Sequence, residues 1–194
     1  IRLFDRLLRY VLGVFEFCDD PDCLFRLRVT QAAHPVPLNG DEVPAGAPVL
    51  ELHLWNEHIP PLPTAGPDAA LATHLRRLLI PSFRAVARQV RHDPRLAGVR
   101  AVSGTMAFLS PAEHPGGVHL MQRLGFTVMP HHSPLGRFGE FWENFYSWWI
   151  MWAFNAVSLR HRHLVRLHRT EVWMSADEFL SRYGVGKEKG ANDV

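Results

Sequence analysis

An α/β domain with a single mixed sheet flanked by helices is what this sequence predicts. Three observations predict it. Short segments alternate apolar and polar residues, longer ones repeat apolar residues at helical spacing, and the two kinds follow one another along the chain. The 194 residues suit one domain with room for a full core. At 47% hydrophobic and 21% charged residues the chain is a folding one rather than a disordered one. A formal net charge of +2 is too small to argue for nucleic acid as a partner. We read residues 1–183 as one domain and 184–194 as a flexible tail.

Leu3, Phe4, Leu7, Leu8, Val11, Leu12 and Phe15 recur at helical spacing and predict an amphipathic N-terminal helix. The chain starts without Met inside this pattern, as it would if a segment preceded it. Asp19-Asp-Pro-Asp22 breaks the helix, and Leu24 to Thr30 alternates as a strand. Cys18 and Cys23 bracket that break; with no second Cys pair to complete a zinc tetrad, we read two ordinary thiols at a helix-to-strand corner. So few thiols, with no signal peptide, point to a reducing cytoplasm. Pro35, Pro37, Asn39-Gly40 and Pro44-Ala-Gly46 read as turns.

The next strand, Val49 to Ile59, carries the most chemistry. Leu50, Leu52 and Leu54 alternate with Glu51, His53 and Trp55, and the segment runs on into Asn56, Glu57 and His58 before Pro60-Pro61. A half-exposed strand ordinarily shows Lys, Thr or Ser on its second face. Here an acid, an imidazole and an indole stand there, and such groups converging at a strand end are what a reaction site needs. His53 reads as a catalytic base with Glu51 and Asn56 positioning it. The plainer reading is a buried His donating to a main-chain carbonyl. Arg26 and Arg28 share a strand face and suit a carboxylate or phosphate, or an ion pair with Glu51 across the sheet. Trp55 and His58 join them as candidate substrate contacts.

Beyond the Pro/Gly-rich loop at Thr64 to Gly66, helical spacing from Pro67 to about His92 predicts a long helix with a kink or break at Pro81. Arg76 and Arg77 upon it read as a solvated face or as charge for an anion. Gly98 to Leu109 reads as a second central strand. Ser110-Pro-Ala-Glu113 resembles a capping box opening a short helix to Leu124, with a strand at Gly125 to Met129. From Phe138 to Val157 a broad aromatic face opposes a narrow polar stripe of Glu140, Glu143, Asn144, Ser147, Asn155 and Ser158. Its fully apolar part is shorter than the about 20 residues a bilayer span needs, so it reads as an amphipathic helix. Four of the six Trp lie between positions 142 and 152. The helix is therefore either core cover or a surface for a membrane or greasy substrate, with Trp142 and Trp149 as candidate contacts. Thr170 to Met174 reads as a last strand and Ser175 to Tyr183 as a capped helix. His114, His119, His131 and His132 lack the Cys or carboxylate company of a metal site, so no metal is expected.

Two resemblances follow from these segments. Phe25-Arg-Leu-Arg-Val-Thr30, Leu38-Asn-Gly-Asp41, Gly46 and Leu50-Glu-Leu-His-Leu-Trp-Asn56 are similar to the YkoP-like bacterial domain family, with Asn39-Gly40 in place of its usual Asp-Gly and Ala47 where Asp is common. That likeness covers roughly residues 20 to 60 and extends toward residue 130; members often accompany polysaccharide deacetylase domains. His119-Leu-Met-Gln-Arg-Leu-Gly-Phe-Thr-Val128 resembles the penultimate helix and following strand of GNAT-type acyltransferases. The second resemblance implies a GNAT-like fold and acyl transfer, and the aromatic helix suggests a hydrophobic or lipid-linked acceptor. It also implies acyl-CoA as donor, yet the stretch that would cradle the pyrophosphate, Pro61-Leu-Pro-Thr-Ala-Gly-Pro-Asp68, has one Gly, prolines without N–H groups and an Asp, which argues against binding in the usual manner. The alternative expectation is a non-catalytic lipid- or carbohydrate-binding module on the same scaffold. Either would lie in the cytoplasm, with peripheral contact at the inner face of the membrane.

Overall fold

The computed structural model describes residues 10–38, 40–60, 69–106, 115–131, 136–154 and 169–184. Seven strands and four helices are described: β1 (Phe25–Gln31), β2 (Val36–Leu38), β3 (Asp41–Val43), β4 (Pro48–Leu54), α1 (Ala69–His92), β5 (Ala101–Met106), α2 (Pro115–Arg123), β6 (Thr127–Pro130), α3 (Gly136–Phe154), β7 (Thr170–Ser175) and α4 (Ala176–Tyr183). Five strands form one mixed sheet in the order β1-β4-β5-β7-β6, and β2 with β3 forms a separate hairpin. Within the large sheet only β4 and β5 run parallel. A parallel pair needs a long crossover, and α1 supplies it.

One face of the sheet is apolar. Phe25 and Leu27 of β1, Leu50 and Leu52 of β4, Val102 and Met106 of β5, and Val172 and Met174 of β7 alternate onto it and are buried. Against them lie α1 through Leu79, Phe83, Val86 and Val90, and α4 through Phe179 and Tyr183. Phe83 is the hub: its ring lies 5.1 Å from Phe25, 5.2 Å from Phe126, 5.9 Å from Phe179 and 5.0 Å from Tyr183. The Tyr183 hydroxyl, at 2.6 Å, donates to the carbonyl of Leu124, so the one polar atom this cluster buries is satisfied.

Several expectations change in detail. Of the N-terminal helix, residues 10–12 are helical and 1–9 lie outside the described residues; Phe15 is extended and pairs with Leu27 of β1. The region read as turns between Pro35 and Gly46 holds the β2–β3 hairpin, turned at Gly40 with φ +81°. Helix α1 runs through Pro81 without a break. Beside that proline, the Ser82 hydroxyl donates to the Leu78 carbonyl at 2.8 Å and accepts the Leu24 N–H at 3.0 Å, which ties the helix to the start of β1. Helix α2 begins at Pro115; the capping residues Ser110 and Glu113 lie outside the described residues. Gly125, with φ +95°, ends α2 in the left-handed conformation that favours glycine. The Ser175 hydroxyl accepts the Glu178 N–H at 3.2 Å, so α4 opens on its expected cap. Residues 185–194, read as a tail, lie outside the described residues. Cys18 and Cys23 are free thiols, and burial pushes the Cys23 thiol up to about 11.

Because Phe83 touches strand, helix and turn together, Phe83→Ala should cost about 3–5 kcal/mol of unfolding free energy. Urea denaturation compared with wild type measures it, and a loss below about 1 kcal/mol would mean the cluster closes over the gap.

Candidate functional site

The second face of the sheet is polar. The pairing register lines up Arg28 with Glu51, Glu51 with Ser103, Ser103 with Trp173 and Trp173 with Thr127. One step along, Arg26 stands opposite His53, and Glu171 stands between Thr105 and Met129. The β2–β3 hairpin covers part of this face, where Val36, Val43, Ala47, Val49, Ala101 and Trp173 form a small second core. The rest is the charged row.

Three of the expected residues meet there. Arg28 Nη1 donates to Glu51 Oε2 at 3.4 Å, and His53 Nε2 lies 3.3 Å from the same oxygen. The His53 contact is within ion-pair range but off the angle of a hydrogen bond, and that nitrogen is buried with no hydrogen-bond partner among the described residues. Burial alone would raise the Glu51 carboxyl; His53 and Arg28 outweigh it and hold Glu51 below its ordinary value, as a carboxylate. The His53 side chain remains partly open to solvent. An imidazole held beside an ionised carboxylate, itself held by a guanidinium, can accept a proton from a bound hydroxyl or amine.

The other expected residues go elsewhere. β4 ends at Leu54, and Asn56–His58 form a single turn of 3₁₀ helix rather than extending the strand. Three residues with a period near three cannot continue a face with a period of two. Asn56 therefore does not stand beside His53 on one strand face, and its side chain lies outside the described residues. Arg26 is buried; its Nε donates to Glu16 at 3.0 Å, its Nη1 lies 3.5 Å from Glu57, and its guanidinium lies 4.2 Å from the centre of the Trp55 ring. The His58 ring stacks on Trp55 at 4.0 Å, with its Nδ1 2.7 Å from the Cys23 carbonyl. These residues bind the turn to β1. Trp142 is exposed, and Trp149 is half-buried, its ring 6.4 Å from Phe145. A concavity of about 230 Å³ lies between Phe17, Cys18 and the α1 residues Ala85, Arg88, Gln89 and His92, and none of the expected site residues lines it.

A second charged cluster stands where β6 and β7 meet α3. His131 directly follows β6 and Arg169 directly precedes β7; their main chains still pair, His131 N–H to the Arg169 carbonyl at 3.3 Å. Helix α3 belongs to the connection between them, and both residues grip it. His131 Nε2 lies 3.0 Å from Glu143 Oε2, Arg169 Nη1 donates to that oxygen at 2.9 Å, and Arg169 Nε donates to Asn144 at 3.2 Å. On its other side His131 Nδ1 lies 2.7 Å from Glu171, whose second oxygen accepts the Trp173 indole N–H at 2.8 Å. The two carboxylates lift His131 to about 9, so near neutral pH it is an imidazolium donating to both. No local spacing announces this cluster: His131, Glu143 and Glu171 are joined only by the β6–β7 register and the fold of the connection between. Among the described residues no group of three or more His, Cys, Asp or Glu is arranged to hold a metal ion.

A family model for the YkoP domain matches residues 2–183, nearly the whole chain. The chain belongs to the YkoP domain family. No curated protein matches it, and no solved structure does. The match spans both charged clusters and the whole five-stranded sheet of this YkoP domain, so neither cluster sits on an appendage to it.

The His131 cluster carries a pH signature. Its folded value is raised above about 6.5, so the stabilisation is complete below about 6.5 and disappears as pH rises through about 9. The groups facing His131 are Glu143, Glu171 and Arg169, with His34 also acting on Glu171. Wild type should thus lose on the order of 2–3 kcal/mol relative to His131→Gln between those two pH values. Chemical denaturation of both proteins across that interval tests this, and parallel profiles would refute it.

Proposed function

We propose that this YkoP domain is an acyltransferase-like enzyme acting on a hydrophobic or lipid-linked acceptor, with His53 as proton acceptor. The observation that carries the reading is the Arg28–Glu51–His53 row on a sheet face that is otherwise buried or covered. The order β4, α1, β5, α2, β6, with Gly125 and Phe126 closing α2 into β6, supports a GNAT-like scaffold. In the proposed step the acceptor's amine or hydroxyl attacks the carbonyl of an acyl thioester. The new C–N or C–O bond forms as the C–S bond breaks; the acceptor's proton passes to His53 and from it to the leaving thiolate. Glu51, kept ionised by Arg28, stabilises the imidazolium that forms. Acyl-CoA is the donor this reading names, although the sequence of segment 61–68 argues against the usual pyrophosphate cradle, and that segment lies outside the described residues. As part of the same reading the protein works in the cytoplasm, peripheral to the inner face of the membrane.

One observation favours a second reading, a binding module without turnover. Five aromatic side chains of α3, Phe138, Phe141, Trp142, Phe145 and Trp152, are exposed rather than wrapped around an enclosed acyl site. On that reading the scaffold holds a lipid or carbohydrate and His53 is a contact.

Two measurements separate them. Thermal-shift titration should show stabilisation by acyl-CoA thioesters if the domain is an enzyme, and response only to lipids or glycans if it is a module. In a thiol-release assay with long-chain acyl-CoA and a lipid amine, His53→Ala should lower turnover at least a hundredfold while leaving the melting temperature within a few degrees. Unchanged turnover in a folded His53→Ala protein would remove His53 from catalysis.

A further inference from the structure

Helix α3 is amphipathic with its sides reversed. Phe138, Phe141, Trp142, Phe145 and Trp152 lie on one face at helical spacing, and all five are exposed, Phe138 by 69% and Trp152 by 56%. Gly139, Glu143 and Asn144 lie on the other side, Gly139 buried and both polar residues held by His131 and Arg169. Ordinarily a surface helix turns its apolar face to the core. Turning this one would strand the Glu143 carboxylate away from two cations and break the contacts by which His131 and Arg169 hold the helix. The rings also contact one another edge to face along the helix, from Phe138 to Trp142 at 6.3 Å and from Trp142 to Phe145 at 5.9 Å, which holds them as a ridge.

We infer that this ridge is a docking surface for an anionic lipid bilayer, on which α3 lies parallel to the membrane plane. Three features select the bilayer. Among the described helices none is long and apolar enough to span, so contact is by lying on the surface. The exposed residues are Phe and Trp, the side chains that an interfacial amphipathic helix sets into the headgroup and acyl boundary. And in the chain Arg160, Arg162 and Arg166 follow the helix, with no Asp or Glu between Glu143 and Glu171, the charge sign that anionic headgroups attract.

The area argues against a second copy as the occupant. Five rings about half exposed offer on the order of 500 Å² of apolar surface, more than scattered surface residues supply but short of the about 800 Å² per partner that a stable protein interface takes. A bilayer sets no such minimum, since each buried ring contributes separately. This surface rests on the peripheral-membrane part of the proposed function and gives it a place in the fold, while His53 takes no part in it.

Flotation with vesicles tests it. Wild type should co-float with equimolar phosphatidylcholine and phosphatidylglycerol, and less with phosphatidylcholine alone or in high salt. Phe141→Ser with Trp142→Ser should reduce the floated fraction at least tenfold while circular dichroism and melting temperature stay those of wild type. Should that double variant fail to fold, Phe138→Ser with Trp152→Ser, farther from Glu143 and Asn144, gives the same reading. His53→Ala should float as wild type does, which separates loss of catalysis from loss of docking. The inference is overturned if wild type stays at the bottom of the gradient with the mixed vesicles. A wild-type dimer that the ridge variants convert to monomer, and that vesicles leave intact, would overturn it in favour of a second copy.

Discussion

The fold depends on what Phe83 does between sheet and helices. It is fully buried on α1 and holds β1 through Phe25, the entry to β6 through Phe126, and α4 through Phe179 and Tyr183. Dispersion and burial from one ring thereby couple segments far apart in the chain. With the apolar face closed in this way, β4 and β5 can pair in parallel beneath α1. Arg28, Glu51, His53, Ser103 and Glu171 are then obliged to face the other side, because the side-chain period of a strand is two.

That obligation generates both charged clusters. Glu51 and His53 stand on the polar face because Leu50 and Leu52 are needed in the core. Glu171 stands there because Val172 and Met174 are. A carboxylate on a partly covered sheet must find cations, and each does: Glu51 finds Arg28 and His53, and Glu171 finds His131. The difference between them is what remains free. His131 has both ring nitrogens engaged by carboxylates, which makes it a clamp. His53 has a buried Nε2 beside Glu51 without a hydrogen bond, and the rest of its ring is partly open to solvent. The clamp in turn sets which way α3 faces, and so places five aromatic rings in the solvent.

The sequence carried the strands and helices well where periodicity was strong. β1, β4 as far as Leu54, α1, β7 and α4 lie where alternation, helical spacing and the Ser175 cap place them, and the Arg28–Glu51 pair follows from two neighbouring alternating strands. It carried less where one period gave way to another. The run through Trp55, Asn56, Glu57 and His58 reads as continued alternation by residue type, yet the chain leaves the sheet after Leu54 and coils. In the same way a proline in a helix pattern reads as a break, while here Ser82 supplies the neighbouring hydroxyl that ties α1 to β1.

What the sequence determined by itself is the kind of fold, the polar second face of β4, and the existence of an aromatic helix, because each is a local pattern whose period the backbone enforces. Only the tertiary structure decided which charges meet and which side of the aromatic helix is outermost. Both turn on His131, Glu143, Arg169 and Glu171, residues brought together by the register of β6 against β7, and no pattern within one segment encodes a contact made between segments.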